Sequence, residues 1–234
     1  MIAAAAILLS APDQADRLAA RVNADIGPAV EAVSRFWDRP WDEDVRVVIT
    51  DTDAQFVDEA HLDPAGQWGD IAAVAVADSV DLTAGRASGQ RIVFAPGASR
   101  MSDEALRIVV THELFHLAAR GATATDAPRW LTEGVADYVA RPPTPVPAAA
   151  REDTDLPTDA DLDRPGAQRS VGYDRAWWFA RFVADVYGVD GLRRLYHRAC
   201  GPGHGGFPDA VRQALGVDTG ELRSRWAQWL ATGK

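Results

Sequence analysis

Two histidines and a glutamate stand in a spacing that suits a metal ion. His112 and His116 are four positions apart, and Glu113 follows His112 directly in the pentapeptide HELFH. Side chains four apart on a helix project from one face, so both imidazoles can bind one ion. A zinc ion held by two histidines and a carboxylate keeps a position for water, lowers the pKa of that water toward about 7, and needs a nearby base. The pentapeptide therefore predicts metal-assisted hydrolysis, with Glu113 as the general base.

A carboxylate further along the chain completes the predicted ligand set. Glu133 lies 17 residues beyond His116, in an apolar segment that follows Pro128. Glu133 and Asp137 are four apart and share a helical face. If Glu133 reaches the metal, Asp137 can accept the ring proton of a liganding histidine and fix its orientation. We expect His112, His116 and Glu133 to bind one Zn²⁺ ion, with Asp137 behind them.

Two other interpretations of HELFH stay open at this point. The pentapeptide also arises by chance in amphipathic helices, and the chain would then be a helical interaction domain without enzymatic activity. Alternatively, the chain is a catalytically inactive module that binds zinc as a structural or binding element. The intact Glu113 argues against the inactive module. Zinc content separates the first alternative from the hydrolase, and a cleavage assay separates the second.

Composition and charge exclude several other classes of protein. The chain has 234 residues and 47% hydrophobic residues, which is enough to bury a full core. The 24 basic residues against 34 acidic ones give a net charge of -10, which argues against nucleic acid and anionic membrane surfaces as partners. The single cysteine, Cys200, excludes an intrachain disulfide and a thiolate cluster, so a metal site must use imidazole and carboxylate.

The N-terminal segment is apolar over residues 1–9, which is far shorter than the roughly 20 residues of a membrane span. No other stretch is long enough either, so we expect no membrane insertion. The segment lacks the basic residues of a signal peptide. A first strand and the remnant of a longer export signal are both consistent with it.

The first half of the chain is predicted to form a helix and a small mixed sheet. Apolar residues recur every three or four positions over residues 13–36, which predicts a helix capped by Asp13 and bent near Gly27 and Pro28. Apolar, β-branched runs at residues 45–49, 71–77 and 91–95 predict strands, with a polar connection over residues 78–90. Ser102 is the predicted cap of the HELFH helix, which runs to about Arg120.

The second half is predicted to be helical. Pro128 opens a helix over residues 129–139, and prolines and acidic residues predict a long loop over residues 141–170. Further helices are expected at residues 173–187, 191–199, 207–215 and 219–230. A sheet followed by helices makes an α+β arrangement with the predicted site on the helical side.

Several segments together resemble the gluzincin zinc metallopeptidases, specifically the peptidase MA-like family of actinobacterial type. The resemblance is carried by residues 89–96, 111–116, 128–138, 156–160 and 173–188, and it spans roughly residues 45 to 200. The 16 residues between His116 and Glu133 are slightly fewer than in thermolysin-like patterns, so the connecting loop must be tighter.

The resemblance implies a zincin-like fold and a peptidase activity. It implies a single domain over residues 1–234, in which residues 1–100 form a helix and sheet part, 101–140 the metal-site helices, 141–170 a loop and 171–234 a helical part. An edge strand would pair with an extended peptide or protein substrate; the candidate strand starts at Ile71 and ends at Ala77. Two roles stay open for Tyr173, which would either stabilise the oxyanion or pack in the core; His197 and His204 are weaker candidates for the oxyanion.

The resemblance also implies an extracellular or cell-envelope location, with the cytoplasm left open. The oligomeric state and the sequence of the substrate are not fixed by any of these patterns.

Overall fold

The computed structural model describes residues 14–66, 68–164 and 166–233. The apolar N-terminal run and the predicted cap Asp13 lie outside the described residues. Helix α1 (Gln14–Phe36) confirms the first predicted helix and continues through Pro28. It buries one face, formed by Leu18, Val22, Ala29, Val33 and Phe36, as the three- and four-residue spacing requires.

A three-stranded mixed sheet follows α1. Strand β1 (Val47–Ile49) leads to helix α2 (Asp53–Glu59) and strand β2 (Ala73–Val76), and β5 (Arg91–Phe94) completes the sheet. The order is β1-β5-β2, with β5 parallel to β1 and antiparallel to β2. All four residues of the central strand β5 are buried. Strand β2 is therefore an edge strand, since no other strand in the described part of the chain pairs with its outer side, which confirms the prediction that a strand within residues 71–77 lies at a sheet edge.

The connection between β2 and β5 is a hairpin, which the sequence analysis did not predict. Strands β3 (Ser79–Asp81) and β4 (Arg86–Ser88) pair antiparallel as a separate two-stranded sheet. Their residues are exposed apart from Ala87, which is half-buried. Short strands with almost no buried face leave no alternation of apolar and polar residues to detect.

Helices α3 (Asp103–Ala119) and α4 (Arg129–Ala140) confirm the two predicted metal-site helices. The side chain of Ser102 accepts a hydrogen bond from the Ala105 N–H at 3.2 Å and so caps α3. Pro128 is the residue before α4. Helix α3 ends at Ala119, close to the predicted end at about Arg120, and a short 3₁₀ turn (Arg120–Ala122) follows it.

Helix α4 packs closely against helix α6 (Ala167–Tyr187) because a glycine lies at their contact. A Cβ atom built on Gly134 would lie 2.4 Å from the carbonyl oxygen of Ala176, well inside contact distance. A glycine at this position lets the two backbones touch. Gly134 follows Glu133 in the chain, so the same contact positions the helix that carries Glu133.

The prediction of a long loop over residues 141–170 is wrong in part. The segment contains a 3₁₀ turn (Ala148–Arg151), helix α5 (Asp159–Leu162) and the beginning of α6 at Ala167. Thr158 and Asp161 form a reciprocal capping box at α5. Buried Arg175 donates to the carbonyl oxygens of Asp153 and Asp155, at 2.9 and 2.5 Å. These long-range bonds order a segment whose local composition is typical of a loop.

The remaining helices follow the predicted order. They are α7 (Val189–Cys200), α8 (Phe207–Leu215) and α9 (Thr219–Thr232). Their buried residues join α1, α3, α4 and α6 in the main core, while Phe56, Ala60, Val76, Val93 and Ala95 form a second, smaller cluster. Among the described helices, none has the length and apolar character to cross a membrane. The chain is thus α+β, with small sheets first and a helical C-terminal part.

Candidate metal centre

The three predicted ligands converge at one point between α3 and α4. The Nε2 atoms of His112 and His116 are 3.1 Å apart. The two carboxylate oxygens of Glu133 lie 3.1 Å from Nε2 of His112 and 3.6 Å from Nε2 of His116. The ligand atoms of the three residues all lie within 4.8 Å of one another. The structure therefore brings together the residues that the sequence analysis selected.

These separations are close to the spacing of donor atoms around a single metal ion. Bonds of 2.0–2.1 Å to nitrogen and oxygen place tetrahedral ligand atoms about 3.4 Å apart, and the three observed separations fall on both sides of that value. The side chains of His112, His116 and Glu133 are 14%, 17% and 17% exposed. Three donors that are nearly buried and aimed at one point form a group that can hold a metal ion.

Asp137 lies behind His112, as the sequence analysis predicts for a residue one turn after Glu133. The Nδ1–H of His112 donates to Oδ1 of Asp137 at 3.0 Å, which turns Nε2 of the same ring toward Glu133 and His116. The second oxygen of Asp137 accepts from Nη1 of Arg141 at 3.1 Å. Asp137 is thus buried with a hydrogen-bond donor on each carboxylate oxygen.

Arg141 extends this support, and the sequence analysis missed it. Its Nη2 donates to Asp174 on α6 at 2.9 Å, and its guanidinium lies 3.8 Å from the ring centre of Trp177. Two ion pairs and a cation–π contact hold one side chain in place. The four-residue spacing from Asp137 was a visible signal, but the partners on α6 were not.

Glu113 faces the edge of the sheet. Its Oε2 atom accepts a hydrogen bond from the backbone N–H of Ala75 at 2.7 Å, which leaves Oε1 for another partner. Burial raises the pKa of Glu113, and the neighbouring His112 and His116 partly oppose this effect. A carboxylate with a raised pKa is a better proton acceptor near neutral pH than an exposed one.

Arg120 completes the contact between α3 and β2. Its Nη2 donates to the carbonyl oxygen of Ala75 at 2.6 Å, so Glu113 and Arg120 bind the two backbone groups of one residue. Arg120 is seven positions after Glu113, close to two helical turns, and therefore on the same face. The sequence analysis did not select Arg120, although its spacing from His116 and Glu113 was a usable signal.

Neighbouring groups shift the pKa values of His112 and Glu133 in opposite directions. Burial lowers the pKa of His112, but the hydrogen bonds to Asp137 and Glu133 outweigh it and raise that pKa well above its ordinary value. Burial raises the pKa of Glu133, and the charges of His116 and His112 outweigh it, so that pKa lies far below its usual range. The arrangement thus favours an ionised carboxylate at the ligand position.

A cleft of about 660 Å³ opens beside these residues. Residues 70–75 form one wall, and Arg169, Ser170, Tyr173 and Asp174 on α6 form the other. Burial, followed by the charge of Glu133, raises the pKa of Tyr173, so its hydroxyl stays protonated and can donate. Tyr173 therefore lines the same cleft as the metal ligands, and its role in stabilising an oxyanion remains a prediction.

The two alternative histidines lie elsewhere. His197 is 3.3 Å from Asp38 and packs on the ring of Trp37, and His204 is 3.4 Å from Asp126. Neither lines the cleft that contains His112 and His116.

Comparison with family models, curated proteins and solved structures found no match to this chain. The resemblance to gluzincins and the zincin-like fold are therefore predictions from motifs. What the structure establishes is an α+β chain in which His112, His116 and Glu133 form a group that can hold a metal ion.

Proposed function

We propose that this protein is a zinc-dependent hydrolase, most specifically a peptidase of the gluzincin type. The observation that carries the proposal is the convergence of His112, His116 and Glu133 beside a cleft that also contains Glu113. Two nitrogen donors and one carboxylate are a donor set that suits zinc, and a tetrahedral ion bound by three residues keeps one position open. Zinc bound there supplies a Lewis acid that polarises a carbonyl and lowers the pKa of a coordinated water.

The residues of the chain divide the remaining chemistry among them. Glu113 takes a proton from the attacking water as the water oxygen bonds to the substrate carbonyl carbon. Glu113 then passes that proton to the amine nitrogen as the carbon–nitrogen bond breaks. Tyr173 donates a hydrogen bond to the oxygen that becomes negative. Asp137 orients the ring of His112 so that its Nε2 lies against Glu133, where it would hold the metal.

The edge of β2 supports peptide as the substrate. The outer side of β2, which faces away from β5, lies in the cleft next to Glu113. An extended peptide can add to such an edge through backbone hydrogen bonds, which presents its carbonyl groups regularly along the strand. Ester or small-amide substrates would leave this edge unused.

The test is zinc quantification together with a cleavage profile on a peptide library. We expect wild-type protein to contain one zinc per chain and to cleave peptides. Glu113→Gln should retain zinc and lose activity by a factor of about 10² or more, because general acid–base catalysis contributes that much. Glu104→Gln, on the exposed first turn of the same helix, is the matched control and should retain activity.

Each other outcome has a definite meaning. Full activity in Glu113→Gln would refute the role of Glu113. Stoichiometric zinc without cleavage of any peptide would favour the catalytically inactive zinc-binding module. Absence of zinc from protein purified without chelators, with no zinc uptake on titration, would refute the metal site itself.

A further inference from the structure

The free edge of β2 offers backbone hydrogen bonds at a restricted position. The Ala95 N–H donates to the Ala72 carbonyl at 2.9 Å, which shows which residues of β2 direct their backbone groups toward β5. Because antiparallel partners alternate, the backbone groups of residues 72, 74 and 76 face β5, and those of Ala73 and Ala75 face the free edge. Glu113 and Arg120 already occupy both groups of Ala75. Ala73 is therefore the β2 residue whose N–H and carbonyl face the cleft without these two partners.

One end of this edge is covered by Arg120. The Arg120 side chain reaches from α3 to the Ala75 carbonyl, and its Nε atom is buried without a hydrogen-bond partner in the described part of the chain. A peptide that continued along β2 past Ala75 would have to displace this guanidinium. Displacement would also disturb the strand residue that orients Glu113.

The other end is crossed by an ion pair. Nη1 of Arg169 on α6 donates to Oδ2 of Asp70 at 2.9 Å, and both residues line the cleft from opposite walls. The two side chains are 32% and 57% exposed. The walls of the cleft thus touch each other at the position where a peptide running past Ala73 would leave the edge of β2.

Arg120 thus closes one end of the β2 edge, and the Asp70–Arg169 ion pair closes the other. We infer that the cleft selects short peptides, and that Asp70 and Arg169 set the length limit. The inference rests on the proposed peptidase function and adds a substrate class to it. Residues 71–74, which lie between the closures, span about 13 Å, the length of about four extended residues. A short peptide can lie along this stretch and still extend one or two residues beyond the bond that is cleaved. A longer peptide must open the ion pair or displace Arg120.

The experiment is a nested series of peptides with one common cleavable sequence and lengths from about five to about fifteen residues. We expect wild-type kcat/KM to fall about threefold to fivefold from the shortest to the longest peptide, since an exposed ion pair must open for the longer one. Arg169→Ala should reduce this ratio toward one. Arg212→Ala, which removes an exposed helical arginine paired with Asp209, is the matched control and should leave the ratio as in wild type.

Two results would overturn the inference: equal kcat/KM at all lengths in wild type, or an unchanged length ratio in Arg169→Ala. If no peptide is cleaved, the proposed function fails, and calorimetry with the same peptides on the zinc-loaded protein still tests the length limit. Tighter binding of the short peptide, relieved by Arg169→Ala, would support the inference without catalysis. Equal binding at all lengths, or no binding, would refute it.

Discussion

Replacement of Asp137 by asparagine tests whether the group behind His112 determines metal affinity. In the wild type, one oxygen of Asp137 accepts the Nδ1–H of His112 at 3.0 Å, and the other accepts Nη1 of Arg141 at 3.1 Å. Asparagine keeps the shape and one acceptor. It removes the negative charge and places an NH₂ group against either His112 or Arg141, where two donors would face each other.

The size of the effect follows from these contacts. A hydrogen bond to a charged partner contributes about 1.5–3 kcal/mol, and residues that orient metal-bound histidines typically account for about 10-fold to 100-fold in affinity. The introduced amide still accepts one hydrogen bond, and Arg141 keeps Asp174 as a partner. We therefore expect Asp137→Asn to weaken zinc binding about 10-fold to 30-fold, which is about 1.4–2 kcal/mol.

Competition with a chromophoric chelator measures this affinity directly. Asp174→Asn is the control, because it removes the other carboxylate partner of Arg141 and leaves the bond between Asp137 and His112 intact. We expect the control to bind zinc within about threefold of wild type. If Asp137→Asn also binds within threefold, or if both variants lose the same affinity, then the carboxylate does not act through His112 and the reasoning is wrong.

Three further predictions concern the charge, packing and chemistry of the site. First, because the pKa of His112 is raised, the metal-free protein holds this ring protonated at pH 7, and zinc binding should release about one proton; calorimetry in buffers of different ionisation enthalpy measures it, and release near zero would contradict the charge assignment. Because the pKa of His112 is raised in the folded state, protonated His112 stabilises the metal-free fold. This stabilisation is complete below about pH 6.5 and is lost as the pH rises through the folded-state pKa. Urea unfolding at a series of pH values measures it. Second, Gly134→Ala should lower the free energy of unfolding by about 2 kcal/mol or more, since the added Cβ meets backbone, while Gly69→Ala, which has no heavy atom within 4 Å of the added Cβ apart from its chain neighbours, should not destabilise; equal urea midpoints would refute the packing argument. Third, Tyr173→Phe should retain zinc and lower kcat about 10²-fold if its hydroxyl stabilises the oxyanion, and an unchanged kcat would assign Tyr173 to packing.

Local rules account for the part of the site that the sequence predicted. Residues four apart share a helical face, so the HELFH helix and the pair formed by Glu133 and Asp137 follow from spacing alone. Ser102 and Pro128 mark the helix starts because capping and the fixed φ of proline are local effects. The consecutive apolar residues Ile92, Val93 and Phe94 fit the burial of strand β5, whereas the burial of Arg91 does not follow from its residue type.

Contacts between distant segments account for what the sequence did not predict. The order within residues 141–170 depends on Arg175, which lies outside that segment. The contact of Arg120 with Ala75 and that of Arg141 with Asp174 join residues 45 and 33 positions apart. An arginine can pair with many acceptors on the same chain, so its type and spacing do not select one of them.

The hydrogen bonds of Glu113 and Arg120 to Ala75 constrain the length of the helical segment between the two residues. The interval between the two residues keeps them in phase at about 3.6 residues per turn, and a single inserted residue would rotate Arg120 by about 100° away from the sheet. Residues between them that do not line the cleft can change in type, provided that they stay helical and fill the core. Length is the property that this segment has to preserve, and a design or a natural variant that altered it would separate the helix from the strand before it disturbed either histidine.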